Sequence, residues 1–280
     1  MYRRENKLRQ ALTCFEESLT LRQRGVGEDH PDTLISKSHL AAVLRLQDRL
    51  DEAQFLEECI VEARERLLGP EHLDTLAARA NLAATLAQQG RTAEALGMQD
   101  NVLDAYLRLL GSEHLLTLAS KAARADLLFQ RGDTEHARIA QEQVLAARKR
   151  LLGAEHADTL RSKTALARTL VRLQELDAAR SLLDAVLQAQ VRRVGADHPE
   201  VHKAREQLAD VQVQLGDQLG AQGPLLPELH QDAAMNDYGD ALPHAARSRG
   251  LAAAGGLWSR ASDELLAQDS QLAGARPAQR

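Results

Sequence analysis

Five histidines stand at one fixed interval in this chain. His30, His72, His114, His156 and His198 are each separated by 42 residues, and each directly follows an acidic residue, Asp29, Glu71, Glu113, Glu155 or Asp197. Imidazole beside carboxylate is the material of metal sites and of general acid–base pairs, so the spacing has to be tested against both. The histidines belong to a longer phrase: GEDHPDTL from Gly27, GPEHLDTL from Gly69, GSEHLLTL from Gly111, GAEHADTL from Gly153 and GADHPEVH from Gly195. Four intervals without insertion or deletion mark one structural unit copied head to tail. Equivalent positions in packed helical units are about 8–10 Å apart or more, whereas zinc needs its ligands at about 2 Å. The five histidines therefore cannot share an ion, and each is expected to cap or pack against its own joint.

The remaining chemistry is sparse. The sequence contains no G-x-x-x-x-G-K-[ST] phosphate loop, no H-E-x-x-H, no C-x-x-C and no G-x-S-x-G, the arrangements that cradle phosphate, bind zinc or set up a nucleophile. Its carboxylates fall on helical segments with i,i+4 partners, the pattern of a solvated face. Cys14 and Cys59 lack metal-ligand or disulfide spacing and read as buried apolar helix positions. No enzyme activity, metal or cofactor is expected.

The elements that carry the phrase follow from the copy at Gly69. Leu76, Leu82, Ala83 and Leu86 fall on one arc at 100° per residue, the stripe of an amphipathic helix A. Arg79 lies within the arc, as do Lys37, Lys121, Lys163 and Arg205 in the other units; a long basic stem can cover apolar surface while its charge reaches water. Gly90-Arg91 makes a turn. A helix B follows, with Ala95, Met98, Val102, Leu103 and Tyr106 inward, and it stops at Gly111, a residue able to take positive φ. Pro31 and Pro199 at a helix start lose no intrahelical bond, and Asp there suits the positive end of the helix dipole. Each unit is a helical hairpin, and the recurring phrase is the joint between hairpins.

Composition agrees. Among 280 residues the hydrophobic fraction is 44% but the aromatic fraction only 2%, which suits a Leu/Ala/Val core of closely packed helices. The net charge of −5 gives no basic footprint, so nucleic acid is not an expected partner. No stretch approaches the apolar run of about 18 residues that spans a membrane, and the opening MYRRENKLRQ has no apolar run of a signal peptide. Membrane insertion is not expected; a cytoplasmic, reducing setting is.

The period also sets the expected organisation. Residues 1–221 form the array. Residues 1–26 read as the tail of a helix A, its turn and a complete helix B, which fits either a fragment of a longer protein or an N-terminal capping helix. Full hairpins begin near 27, 69, 111 and 153. A terminal hairpin begins near 195, with a polar helix A to about Gln214 and a short helix B. Residues 222–280 carry four of the seven prolines, several glycines and no period, the composition of a mostly disordered tail; a short amphipathic helix over 258–272 would carry Trp258, Ala261, Leu265 and Leu272.

The 42-residue hairpin, the joint G-x-[ED]-H-P-D-T-L, N-L-A at Asn81–Ala83 and G-x-x-x-E-A at Gly90–Ala95 resemble the kinesin-light-chain-type tetratricopeptide repeat, over about residues 1–221. The resemblance implies an all-α fold, a right-handed α-solenoid whose A helices line a concave groove for peptide or protein ligands. It places five positions of each helix A in that groove. They include Arg45 in the first full unit, then Asn81, Ala84 and Gln88 in and beside the nearly all-alanine floor of the second. Asp126, Phe129 and Gln130 follow in the third, Arg161, Arg168 and Arg172 in the fourth, and Lys203 in the fifth. Three arginines on one face, with Lys203 beyond, suit an acidic or phosphorylated segment; solvation, or pairing with Glu206 and Asp210, is the alternative. The Asn pair that kinesin light chains carry before Leu-Ala survives here only as Asn81, and their heptad coiled coil is absent. The expected function is a protein-interaction scaffold. The alternatives are the sensor or recruiting portion of a longer signalling ATPase or enzyme, and a kinesin-light-chain-like cargo adaptor.

Overall fold

A computed structural model describes residues 2–221; the expectations for residues 222–280, including the helix over 258–272, lie outside the described residues. Among the described residues ten helices follow one another: α1 (Tyr2–Val26), α2 (Pro31–Leu46), α3 (Leu50–Leu68), α4 (Leu73–Gln88), α5 (Thr92–Leu110), α6 (Leu115–Arg131), α7 (Thr134–Leu152), α8 (Ala157–Arg172), α9 (Leu176–Val194) and α10 (Pro199–Ala221). Each packs mainly on its neighbours in the chain, and α4 touches α6 as α6 touches α8. The result is an all-helical solenoid, with α2, α4, α6, α8 and α10 as A helices and α3, α5, α7 and α9 as B helices.

The joint phrase builds the start of every A helix. In α2, α4, α6 and α8 the His residue is the N-cap in extended conformation, and in all five A helices the His Nδ1 accepts the backbone N–H two residues on. The distances are 3.3 Å in α2, 3.2 Å in α4, α6 and α8, and 3.3 Å in α10. One orphan donor of each helix is thereby satisfied. The Thr of the phrase is buried outright, and in three joints its hydroxyl donates to the carbonyl of the Gly six residues earlier: Thr33 to Gly27 at 2.7 Å, Thr75 to Gly69 at 2.9 Å and Thr159 to Gly153 at 2.8 Å. Those glycines end the B helices with φ of 97°, 91° and 90°, a region that side-chain-bearing residues rarely adopt. Replacing His114 by Ala is expected to lower stability by about 1 kcal/mol, with Asn restoring most of it, because both His and Asn offer an acceptor to the N-terminal amides. A denaturant midpoint unmoved by His114→Ala would rule out the capping role.

The core runs as a chain of small clusters instead of one centre. In every hairpin an alanine of helix A (Ala41, Ala83, Ala125, Ala167) and one of helix B (Ala53, Ala95, Ala137, Ala179) are at most 1% exposed. Methyl groups at the crossing let the two helices approach closely, and leucines such as Leu44, Leu86, Leu128 and Leu170 fill the space around them. The basic residue within the A-helix stripe behaves as its stem suggests: Lys37 is buried with Nζ 3.5 Å from Glu28, and Arg79 reaches Glu65 at 2.8 Å.

Three expectations need correction. Residues 2–26 contain no turn; α1 is a single helix, because Asn6-Lys7 stands where later units have the turn and the flanking Arg3, Arg4, Glu5 and Leu8 all favour helix. The terminal unit likewise does not fold back within the described residues. The turns between A and B helices put Asp48, Gly90, Gly132 and Gln174 at positive φ, whereas α10 runs through the corresponding Gly216 to Ala221. A turn residue permits the hairpin, but an apolar helix B packing back on helix A is what holds it, and no such stripe follows Gly216 before Gly220, Gly223 and Pro224. Finally, Cys14 is exposed and Cys59 only half-buried. On α3 the inward face is taken by Ile60 and Ala63, which turns Cys59 to the flank of the helix.

Candidate functional site

Side-by-side packing of the A helices brings equivalent positions of successive units together, and this creates two kinds of surface. The first is a floor of small side chains. Ala77, Ala80 and Ala84 of α4 and Ala119 and Ala122 of α6 are all half-buried, with half-buried Gln88 and exposed Gln130 at the helix ends. Asn81 lies beside them, half-buried, with its Oδ1 buried and without a hydrogen-bond partner in the structure. A strip of methyl groups leaves room for a partner's backbone or a bulky side chain and asks for little desolvation of polar atoms.

The second surface is a charged wall on α6 and α8. Arg168 Nη2 lies 2.9 Å from Asp126 Oδ1, a bond between residues at the same place in neighbouring units. The Arg168 guanidinium also stands 4.7 Å from the centroid of Phe129, and that of Arg172 stands 4.6 Å from the same centroid. Arg172 Nη1 donates to the Phe129 carbonyl at 2.8 Å. One aromatic ring thus holds two cations by its negative face. Burial pushes the Asp126 carboxyl up to about 6, against the attraction of Arg168 and, further off, Arg148. Taking this carboxylate out of water costs more than its partners return.

The remaining predicted residues separate. Arg161 pairs with Asp158 in its own first turn at 3.1 Å. Lys203 is exposed, and neither it nor Arg172 forms an ion pair among the described residues. The partners foreseen for the arginines, Glu206 and Asp210, are not the ones observed. Arg168 and Arg172 meet the preceding unit instead, because α6 and α8 are in contact. Arg45 is a further correction: it is only 8% exposed and turns into the core between α2 and α3, where its Nε lies 3.6 Å from Oε1 of Glu57. The Thr85 hydroxyl of α4 donates to the other carboxylate oxygen at 2.5 Å. Arg45 occupies the position of buried Ala87 in the next unit, at the border between groove and core.

The Asp126–Arg168 contact was open to sequence reasoning, since the two residues are one period apart with opposite charge. Phe129 as a platform, and Glu57 and Thr85 as a buried polar pair, carry no local motif.

Among the described residues no group of three or more His, Cys, Asp and Glu side chains could hold a metal ion, and no described helix is long and apolar enough to cross a membrane.

Residues 1–66, 37–100, 76–150 and 123–189 match the family model described as tetratricopeptide repeat. No curated protein matches the chain. Among solved structures, the chain is similar to a kinesin light chain candidate from Podosopora anserina with nearly identical TPR-like repeats. A single-residue variant of that protein matches at 27% identity and a TM-score of 0.54, covering 69% of this chain and 91% of that one. A second crystal structure of it matches at 27% identity and a TM-score of 0.53, covering 69% of this chain and 92% of that one. BtubC (BKLC) from P. vanneervenii shares the fold at 16% identity and a TM-score of 0.61, with 83% of this chain and 99% of that chain covered.

Proposed function

The chain belongs to the tetratricopeptide repeat family, and on that premise we propose that it is a protein-interaction scaffold holding a partner's peptide segment along the layer of A helices. The observation that carries this reading is the alanine floor of α4 and α6, Ala77, Ala80, Ala84, Ala119 and Ala122, left half-exposed beside Asn81. These five alanines are half-buried on two A helices that touch each other, so small side chains stand next to one another across neighbouring units.

The charged wall gives the segment a polarity. A carboxylate or phosphate on the partner would meet Arg172 and Lys203, whose charges have no carboxylate partner among the described residues. Arg168 contributes only if the partner's acid replaces Asp126. The bidentate fork of arginine favours such an exchange in geometry.

Two variants of the full chain test this reading. Ala84→Trp fills the floor without touching the core, and Arg172→Glu combined with Lys203→Glu reverses the charge at one end. In affinity capture with mass spectrometry, Ala84→Trp should remove the partners held by the wild-type chain, and the charge reversal should remove those with acidic segments. A captured set unchanged by Ala84→Trp would overturn groove binding; loss with Ala84→Trp but not with charge reversal would leave the groove and exclude the acidic partner.

A further inference from the structure

Two exposed cations of the A-helix layer have no carboxylate partner among the described residues. Arg172 donates to the Phe129 carbonyl and Lys203 projects from the first turn of α10. Together they bracket the outward side of α8. Lys203 stands one period from Arg161, and Arg172 lies eleven residues beyond Arg161, about 16 Å along a helix. Between these levels Arg161 is engaged by Asp158 and Arg168 by Asp126. On α10 the same side carries Glu206 and Asp210, so an anionic segment is drawn to α8 and away from α10.

The chain itself carries a segment of matching charge within reach. Residues 222–246 hold Glu228, Asp232, Asp237 and Asp240 and no Lys or Arg; arginines follow only from Arg247 onward. The helix α10 ends at Ala221, seven residues past Gln214, its residue one period from Arg172. That is about 10 Å along the helix. Glu228 and Asp232 lie seven and eleven residues beyond Ala221, up to about 23 and 36 Å of extended chain, enough to turn back to Arg172. Asp237 follows Asp232 by five residues, about 16 Å when extended. The same interval separates Arg172 from the level of Lys203.

We propose, on the reading of the A-helix layer as a peptide site, that residues 228–240 of the same chain occupy its basic end. They run back along α8 antiparallel to α10, with Glu228 or Asp232 on Arg172 and Asp237 or Asp240 on Lys203. Charge and tether act together. Each free cation gains a carboxylate in a charge-assisted contact, and the short connection from Ala221 holds the segment at an effective concentration in the mM range. A partner with an acidic segment then competes with residues 228–240 for the same two cations.

Two measurements on the full-length chain test this. Carbodiimide coupling joins an amine to a carboxylate in contact with it. It should link Lys203 to Asp237 or Asp240 within one chain, at a yield independent of protein concentration, and Arg172→Glu should lower that yield at least about fivefold. No such link, a link only between copies, or a yield that Arg172→Glu leaves unchanged overturns the proposal. The second measurement uses a fluorescein-labelled synthetic peptide of residues 225–240 as probe. The variant Glu228→Gln/Asp232→Asn/Asp237→Asn/Asp240→Asn, altered only outside the array, should bind it about tenfold more tightly than the wild type, because the tethered competitor is gone. Equal affinity, or no binding to the variant, overturns the proposal. The link to Lys203 together with a captured set unchanged by Ala84→Trp would keep the α8 site while groove binding of partners fails. Partners lost with Ala84→Trp in the absence of the link would keep the groove and overturn the cis occupant.

Discussion

Glu57→Ala should destabilise the protein by about 3–5 kcal/mol, the loss that follows when one member of a buried ion pair is removed. Glu57 is 3% exposed and Arg45 8%. Burial pushes the Glu57 carboxyl up and the Arg45 guanidinium down, in each case ahead of their mutual attraction. Without Glu57 the guanidinium keeps its desolvation cost and loses its counter-charge, and the Thr85 hydroxyl loses the acceptor it now reaches at 2.5 Å. The other units show what the same place can hold. The trio Arg45, Glu57 and Thr85 corresponds to Phe129, Gln141 and Thr169, where Thr169 donates to the Gln141 amide oxygen at 2.7 Å, and then to Val171, Leu183 and Val211, all packed in one apolar cluster. The triple change Arg45→Val/Glu57→Leu/Thr85→Val therefore copies a solution that this chain already contains. It should leave the protein as stable as the wild type or up to a few kcal/mol more so, since well-packed apolar groups often match or exceed a buried ion pair. Denaturant unfolding of the single and triple variants decides the matter. A single variant within about 1 kcal/mol of wild type would refute the view of Glu57 as the compensation for Arg45.

Asp126 should make stability fall as pH rises, the reverse of most paired carboxylates. Its carboxyl is held at about 6 in the folded chain, above the ordinary value of 3.8. The folded state therefore binds the proton more tightly than the unfolded one. The corresponding stability is fully present below about pH 4 and is lost as pH rises through about 6; a difference of about two pH units corresponds to roughly 3 kcal/mol. Asp126→Asn keeps the shape and an acceptor for Arg168 but never has to be charged. The variant should match the wild type near pH 4 and exceed it by about 2–3 kcal/mol near pH 8. Arg168→Ala should act the other way, weakening the protein near pH 8 by withdrawing the charge that compensates Asp126. Urea midpoints at the two pH values read both effects, and a difference between Asp126→Asn and wild type that does not change with pH would exclude Asp126 as the titrating group.

Much of the chain is legible from its period alone. The histidine phrase, the hairpins and the stripe of Leu76, Leu82 and Leu86 are local properties: each depends on residues within one or two helical turns, and the 42-residue copy repeats the information. For that reason the caps on His30, His72, His114, His156 and His198 are legible in the sequence. Positions within one helix face are legible too, which is why Ala84, Asp126, Phe129 and Arg168 fall in the A-helix layer.

What neighbouring helices do to one another was decided only by the tertiary structure. Residue spacing places Arg45 on the border of the groove face, but whether it points outward depends on Glu57 and Thr85, contributed by two other helices and buried with it. The charge of Arg168 is engaged by Asp126 and Phe129 because α6 and α8 touch. The ends follow the same rule: α1 and α10 stay single helices where the sequence pattern, extended by its period, predicts hairpins. A turn persists only where a second helix packs back on the first. The sequence by itself determined the repeating unit and the chemistry of its joint, since both rest on local hydrogen bonds and helix periodicity. The tertiary structure determined which side chains remain available to a partner, since that depends on contacts between units that no single copy contains.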